Sequence, residues 1–157
     1  MNSAHLIKLY TVYFLLTVIG LGAGAAALSA LFDVEIGGSL GIVTVILPSM
    51  LVGHRYAKRW ESRPPNGYAW RLTAVFTLIN IGLGLCGALV FVGVMFGWQE
   101  ISAIMSEFAS GYLLAIAAVM FLIYWLAGRF FFGFGAKNQL KSVAEKAARA
   151  AKDQNQP

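Results

Sequence analysis

The chain has 157 residues, of which 59% are hydrophobic and only 12% charged, with a formal net charge of +5. Its mean hydropathy is +0.70. Soluble domains carry roughly 25% charged residues, so this composition points to a bilayer as solvent and leaves room for one compact membrane domain. The positive charge does not point to nucleic acid, because the bases sit at the ends of apolar runs, as membrane topology requires.

Taken in chain order, the sequence predicts an all-α, four-helix transmembrane bundle with spans at about 9–32, 36–56, 72–98 and 108–132. A spanning helix needs about 20 mostly apolar residues, and helices satisfy their backbone groups internally where lipid offers no partners. Leu9 to Phe32 contains no charge at all. An alternative for this stretch is a signal peptide cleaved after Ala27–Ala30, which would leave three spans with the same orientation. The second run opens on Gly37, Gly38 and Gly41 and carries Pro48, whose missing N–H frees a carbonyl that Ser49 could satisfy. Pro64-Pro65-Asn66-Gly67 then marks a turn.

The loops set direction. Lys8 precedes the first span, Arg55, Lys58, Arg59, Arg63 and Arg71 crowd the middle loop, Arg129 ends the fourth span, and Lys137, Lys141, Lys146, Arg149 and Lys152 follow it. All 12 bases therefore lie on one side, while Asp33, Glu35, Glu100 and Glu107 lie on the other. The positive-inside rule places both termini and the middle loop in the cytoplasm. Trp60, Tyr68, Trp70, Trp98, Tyr124 and Trp125 mark the interfaces, and Arg129 is expected to snorkel. Residues 1–136 form the membrane domain and 137–157 a basic cytoplasmic tail. Its Ala, Lys, Glu and Arg favour a short, weakly docked C-terminal helix that frays after Lys152.

Small residues at helical spacing are the most informative feature of the spans. Gly20 and Gly24, Gly84 and Ala88, and Gly93 and Gly97 are each four apart, and such rows let another helix approach closely. Packing within the bundle, a foreign helix and a second copy of the chain are all compatible with these rows. Asn80, the one amide well within a span, follows Thr73 and Thr77 on one face that continues to Gly84. It is expected to hydrogen-bond across the bundle.

Nothing in the spans suggests catalysis. They hold no acid in their cores, so the small multidrug transporters, which have similar size but depend on a glutamate in the first span, are a poor match. His5 and His54 have no further ligands spaced for a metal, no cofactor motif is present, and lone Cys86 is expected to be buried and structural.

The segment from Pro48 to Asn80, with Tyr56, Arg63, Pro65, Trp70 and Arg71, resembles a family of small bacterial inner-membrane proteins. There a basic, aromatic end of the second span leads through an Arg-x-Pro turn into the third. That family commonly has an acid after the turn, where this chain has Asn66-Gly67-Tyr68. In general character the chain is also similar to the membrane immunity proteins that bacteria pair with secreted toxins. That likeness implies a non-catalytic protein binding a membrane-inserting, pore-forming toxin. A small passive channel and an assembly scaffold for a membrane complex are the other expectations.

Overall fold

A computed structural model of the chain describes residues 3–32, 40–99 and 111–154. Among these residues it is all-helical, with four helices: α1 (Ser3–Phe32), α2 (Leu40–Trp60), α3 (Asn66–Met95) and α4 (Gly111–Gln154). Three of them, α1, α3 and residues 114–152 of α4, are long and apolar enough to cross a membrane. The described part of α2 is the least apolar in this sense, because it carries Pro48, Ser49, His54 and the basic cluster at its end. The expected start of the second span at residues 36–39, with Gly37 and Gly38, lies outside the described residues. So do residues 108–110 and the acids Asp33, Glu35, Glu100 and Glu107.

Helix boundaries follow from local chemistry. Thr11 and Thr17 stay inside α1 by donating to the carbonyls of Ile7 and Tyr13, at 3.1 and 2.7 Å. This return to the preceding turn leaves no hydroxyl unpaired in an apolar setting. α2 stops at Trp60 because Glu61 adopts a left-handed conformation, φ 47°, while its N–H still reaches the Ala57 carbonyl at 2.9 Å. Pro64 and Pro65 are incompatible with continuing that helix, and α3 starts at the next residue. α3 ends when Phe96 caps it and Gly97 turns to φ 100°, a position that only glycine enters without cost.

α4 is one 44-residue helix, about 66 Å long at 1.5 Å per residue. The separate tail helix expected after residue 136 is instead its direct extension. No proline interrupts residues 111–154, and the tail's Ala, Lys and Glu are good helix formers. From residue 143 to 152 the extension buries no side chain, and Lys141 pairs with Glu145 at 3.8 Å on its exposed surface.

α2 is the hub. It touches α1, α3 and α4, and α4 most extensively, while α1 and α4 do not meet. The α2–α4 crossing brings backbones into contact. A Cβ built on Gly53 would lie 2.1 Å from the Phe132 carbonyl oxygen, and one on Gly135 would lie 2.1 Å from that of Met50. Each helix thus seats a glycine against the other's main chain. Around this crossing pack Leu6, Tyr10 and Phe14 of α1, Val52 and Tyr56 of α2, Leu72 and Phe76 of α3, and Phe132 of α4. Tyr10 stacks on Phe76 with centroids 4.0 Å apart, and Phe132 meets both Phe76 and Tyr56 edge-on at 6.1 Å.

That core occupies one half of the bundle, the half with the basic helix ends. Residues 18–32 of α1 and 114–127 of α4 bury no side chain, and beyond Asn80 α3 buries only Gly93. Leu31 is 75% exposed and Val94 71%. Cys86 belongs to this open half and is exposed, correcting the expectation of a buried structural thiol. Among the described residues nothing lies within 4 Å of where a Cβ would stand on Gly84 or Gly87 beside it.

Overpacking a filled site costs about 1–3 kcal/mol. Gly53→Ala is therefore expected to lower the unfolding free energy of the purified full-length chain by that amount. Gly22→Ala meets open space and is expected to gain up to about 1 kcal/mol from helix propensity. Reversible denaturation in mixed micelles measures both, and equal stability of the two variants would contradict the crossing.

Candidate functional site

Two regions merit description: a polar cluster inside the packed half and the small-residue faces of the open half. The cluster forms where the three-residue and four-residue steps of α3 bring Thr73, Thr77 and Asn80 onto the face turned to α1 and α2, all buried. Thr73 and Thr77 donate back to the Ala69 and Thr73 carbonyls, at 2.9 and 3.0 Å. Asn80 does what the sequence suggested and bonds across the bundle, its Nδ2 donating to Thr44 Oγ1 at 3.4 Å. Thr44 in turn donates to the Gly41 carbonyl at 2.6 Å.

Tyr10 of α1 completes the cluster. Its hydroxyl stands beside Asn80 and Ser49, yet neither Tyr10 Oη nor Ser49 Oγ reaches hydrogen-bonding geometry with a protein atom. Ser49 therefore does not satisfy the carbonyl freed by Pro48, as the sequence had suggested, but faces Gly128 of α4, whose Cβ would lie 3.5 Å from its oxygen. The Thr73 and Thr77 hydroxyls are spent on their own helix, so the cluster's hydrogen bond between helices is that of Asn80 with Thr44, which ties α3 to α2.

The glycines singled out from the sequence divide into two groups. Gly20, Gly24 and Gly84 have nothing within 4 Å of where a Cβ would stand. They are not brought together with one another, nor do they receive a helix among the described residues. The row Thr73, Thr77, Asn80, Gly84 leaves the core at its last member. Gly20 forms part of an apolar groove of about 410 Å³ between α1 and α2, with Leu16, Thr17, Leu47 and Leu51.

Gly93 and Gly97 behave otherwise. Gly97 lies past the end of α3 as its terminator, and the chain then folds Trp98 back onto Gly93, whose Cβ would meet the indole at 2.9 Å. They do not form one open helix face as their spacing implied, because the helix ends between them.

Sequence reasoning missed Gly53 and Gly135. A signal existed, since Ser49, Gly53 and Ala57 are four apart, as are Phe132 and Ala136, and Gly128 and Gly135 are seven apart. These rows overlap His54, Arg55 and Arg129, where charge dominates the reading. Arg129 also departs from expectation. Rather than snorkelling freely, its Nη2 donates to Asn66 Oδ1, and its guanidinium lies 5.6 Å from the Trp70 ring centroid. Trp125 locks the same corner, donating from Nε1 to the Trp70 carbonyl at 3.1 Å.

The described residues hold no group of three or more His, Cys, Asp or Glu able to bind a metal ion. Comparison with protein-family models, curated proteins and solved structures gives no match.

Interhelical hydrogen bonds in membranes average about 0.6 kcal/mol and reach about 1.7. Asn80→Leu is expected to destabilise the bundle within that range in the same denaturation assay. A loss above about 3 kcal/mol, the cost expected of a buried charge left unpaired, would mean the amide holds more than Thr44.

Proposed function

We propose that the chain is a non-catalytic protein of the bacterial inner membrane that receives helices of another membrane protein against its open half. The observation that carries this reading is that Gly20, Gly24 and Gly84 present bare backbone with nothing within 4 Å of where a Cβ would stand among the described residues. Between lipid-solvated helices association is driven by close van der Waals contact, and small residues permit it. The packed half holds the bundle together, so the other half is free to take a partner without unfolding.

In this reading all four helices cross the bilayer, and both ends of the chain are cytoplasmic. The placement of bases supports it. Tyr68 Oη reaches Ser3 Oγ at 3.4 Å, Arg55 Nε reaches Tyr13 Oη at 3.2 Å, and Arg129 reaches Asn66. The start of α1, the end of α2, the start of α3 and residues 129–137 of α4 thus share one end of the bundle. That end carries all the bases, as a cytoplasmic face should. The open half then lies in the outer leaflet, where a helix inserting from outside arrives first. Immunity to a pore-forming toxin is the form of helix capture that fits this placement, with sequestration preventing pore assembly.

A photo-crosslinking amino acid at position 24 or 84, in cells making the full-length chain and challenged with an inserting glycine-rich toxin helix, tests this. A discrete adduct with that helix is expected. Gly20→Leu should reduce it while leaving membrane insertion and unfolding free energy unchanged, because the position is open. Adducts with lipid alone would contradict helix capture, and an adduct of twice the chain's mass would redirect it to self-association.

A further inference from the structure

At the basic end of the bundle a groove of about 500 Å³ runs between the loop after α2 and the outer side of α4. Arg63 of the loop and Arg129 and Lys137 of α4 stand around it, and Phe130, Gly133 and Phe134 form its floor. Three cations therefore converge on one concavity. Among the described residues no carboxylate pairs with any of them, since the one ion pair is Lys141 with Glu145.

Arg129 is held rather than free. Asn66 and Trp70 fix its guanidinium, and glycine at 133 makes room for it, because a Cβ there would lie 3.1 Å from Nη1. Its Nε is buried without a partner. A fixed guanidinium flanked by two mobile cations is the arrangement that recognises a phosphate.

The floor separates a lipid from a soluble anion. Phe130 is 66% exposed and Phe134 41%, their rings nearly parallel with centroids 6.3 Å apart. Toward the middle of α4 they continue into Leu126, Ile123, Leu122 and Val119, all exposed and apolar. The groove is thus cationic at its mouth and continuous with the lipid-facing surface below. The second basic groove, with His5, Arg55, Lys58 and Arg59, has no aromatic floor, and its Arg55 is engaged by Tyr13.

We propose that this groove binds an anionic phospholipid. Its phosphate lies among Arg63, Arg129 and Lys137, and an acyl chain runs over Phe130 and Phe134. The bound lipid would stand between loop and helix, fixing the level of α4 at the interface.

The test uses the purified full-length chain in detergent, titrated with phosphatidylglycerol, phosphatidylcholine or inorganic phosphate, with native mass spectrometry counting retained lipid. Phosphatidylglycerol should be retained about tenfold more tightly than phosphatidylcholine. The double variant Arg63→Gln, Lys137→Gln changes only exposed side chains and should erase that preference. The tail variant Lys146→Gln, Lys152→Gln removes the same charge and should keep it. Melting in lipid-free detergent should be equal for all three proteins, which separates loss of binding from loss of fold. Equal retention of the two lipids, or equal loss in both double variants, would overturn the site. Displacement of the lipid by millimolar phosphate would overturn the lipid assignment in favour of a soluble anion.

Discussion

The contact of two helix backbones at Gly53 and Gly135 is the constraint on which the rest of the bundle depends. Each glycine lets the other helix's carbonyl approach to where its own Cβ would have been. In a bilayer there is little hydrophobic gain from bringing apolar helices together, so closeness of approach decides which pairs hold. With α2 and α4 locked, Phe132 is placed to meet Phe76 and Tyr56, and the aromatic core closes over Tyr10. Part-buried hydrogen bonds between helices add register. Asn80 with Thr44 ties α3 to α2, and Trp125 with Trp70 ties α4 to α3.

A bundle fixed at one end has a different character at the other. The lock lies among the basic ends of the helices, and the polar cluster lies just beyond it. Past Thr17 and Asn80, α1 and α3 keep their apolar surface but bury little of it among the described residues, while α4 still reaches α2 where Tyr124 Oη stands by Gly41. That surface is the same oily material as a lipid-facing one, yet on α1 it is rich in glycine and alanine, and on α3 Gly84 and Gly87 stand among exposed Leu83, Leu85, Val90 and Phe91. Bulky residues fill space against fluid lipid tails, whereas glycine helps only when something rigid comes close. This contrast connects the architecture to helix capture.

The sequence is explicit about some of this and mute about the rest. Helical class and apolar runs follow from composition, and the turn at Pro64-Pro65 follows from residues that leave the backbone no alternative. Asn80 was legible because an amide in an apolar run must find a partner. Glycine spacing was less informative, because it identifies a face without saying what covers the face. Gly93 and Gly97 share the spacing of Gly20 and Gly24, yet one seats Trp98 and the other ends the helix. Gly53 and Gly135 lie within basic stretches where charge draws attention first. Arg129 reads from sequence as a snorkelling end residue, and its engagement with Asn66 and Trp70 depends on the start of α3 packing beside α4. Continuity of α4 through its tail follows from the absence of a stop signal, but a change of composition at residue 137 masks it.

A packed half at the basic ends of the helices and an open half beyond it make a periodic distinction along α1 that one scan resolves. Nitroxide labels placed singly from Leu6 to Leu31, in the full-length chain reconstituted in bilayers, report accessibility to oxygen dissolved in the lipid. The account predicts a helical alternation of protected and accessible positions, with Leu6, Tyr10, Phe14 and Thr17 protected, that fades into uniform accessibility beyond residue 18. Alternation continuing with equal depth to residue 31 would show a helix of the same chain packed along all of α1, and would contradict the open half.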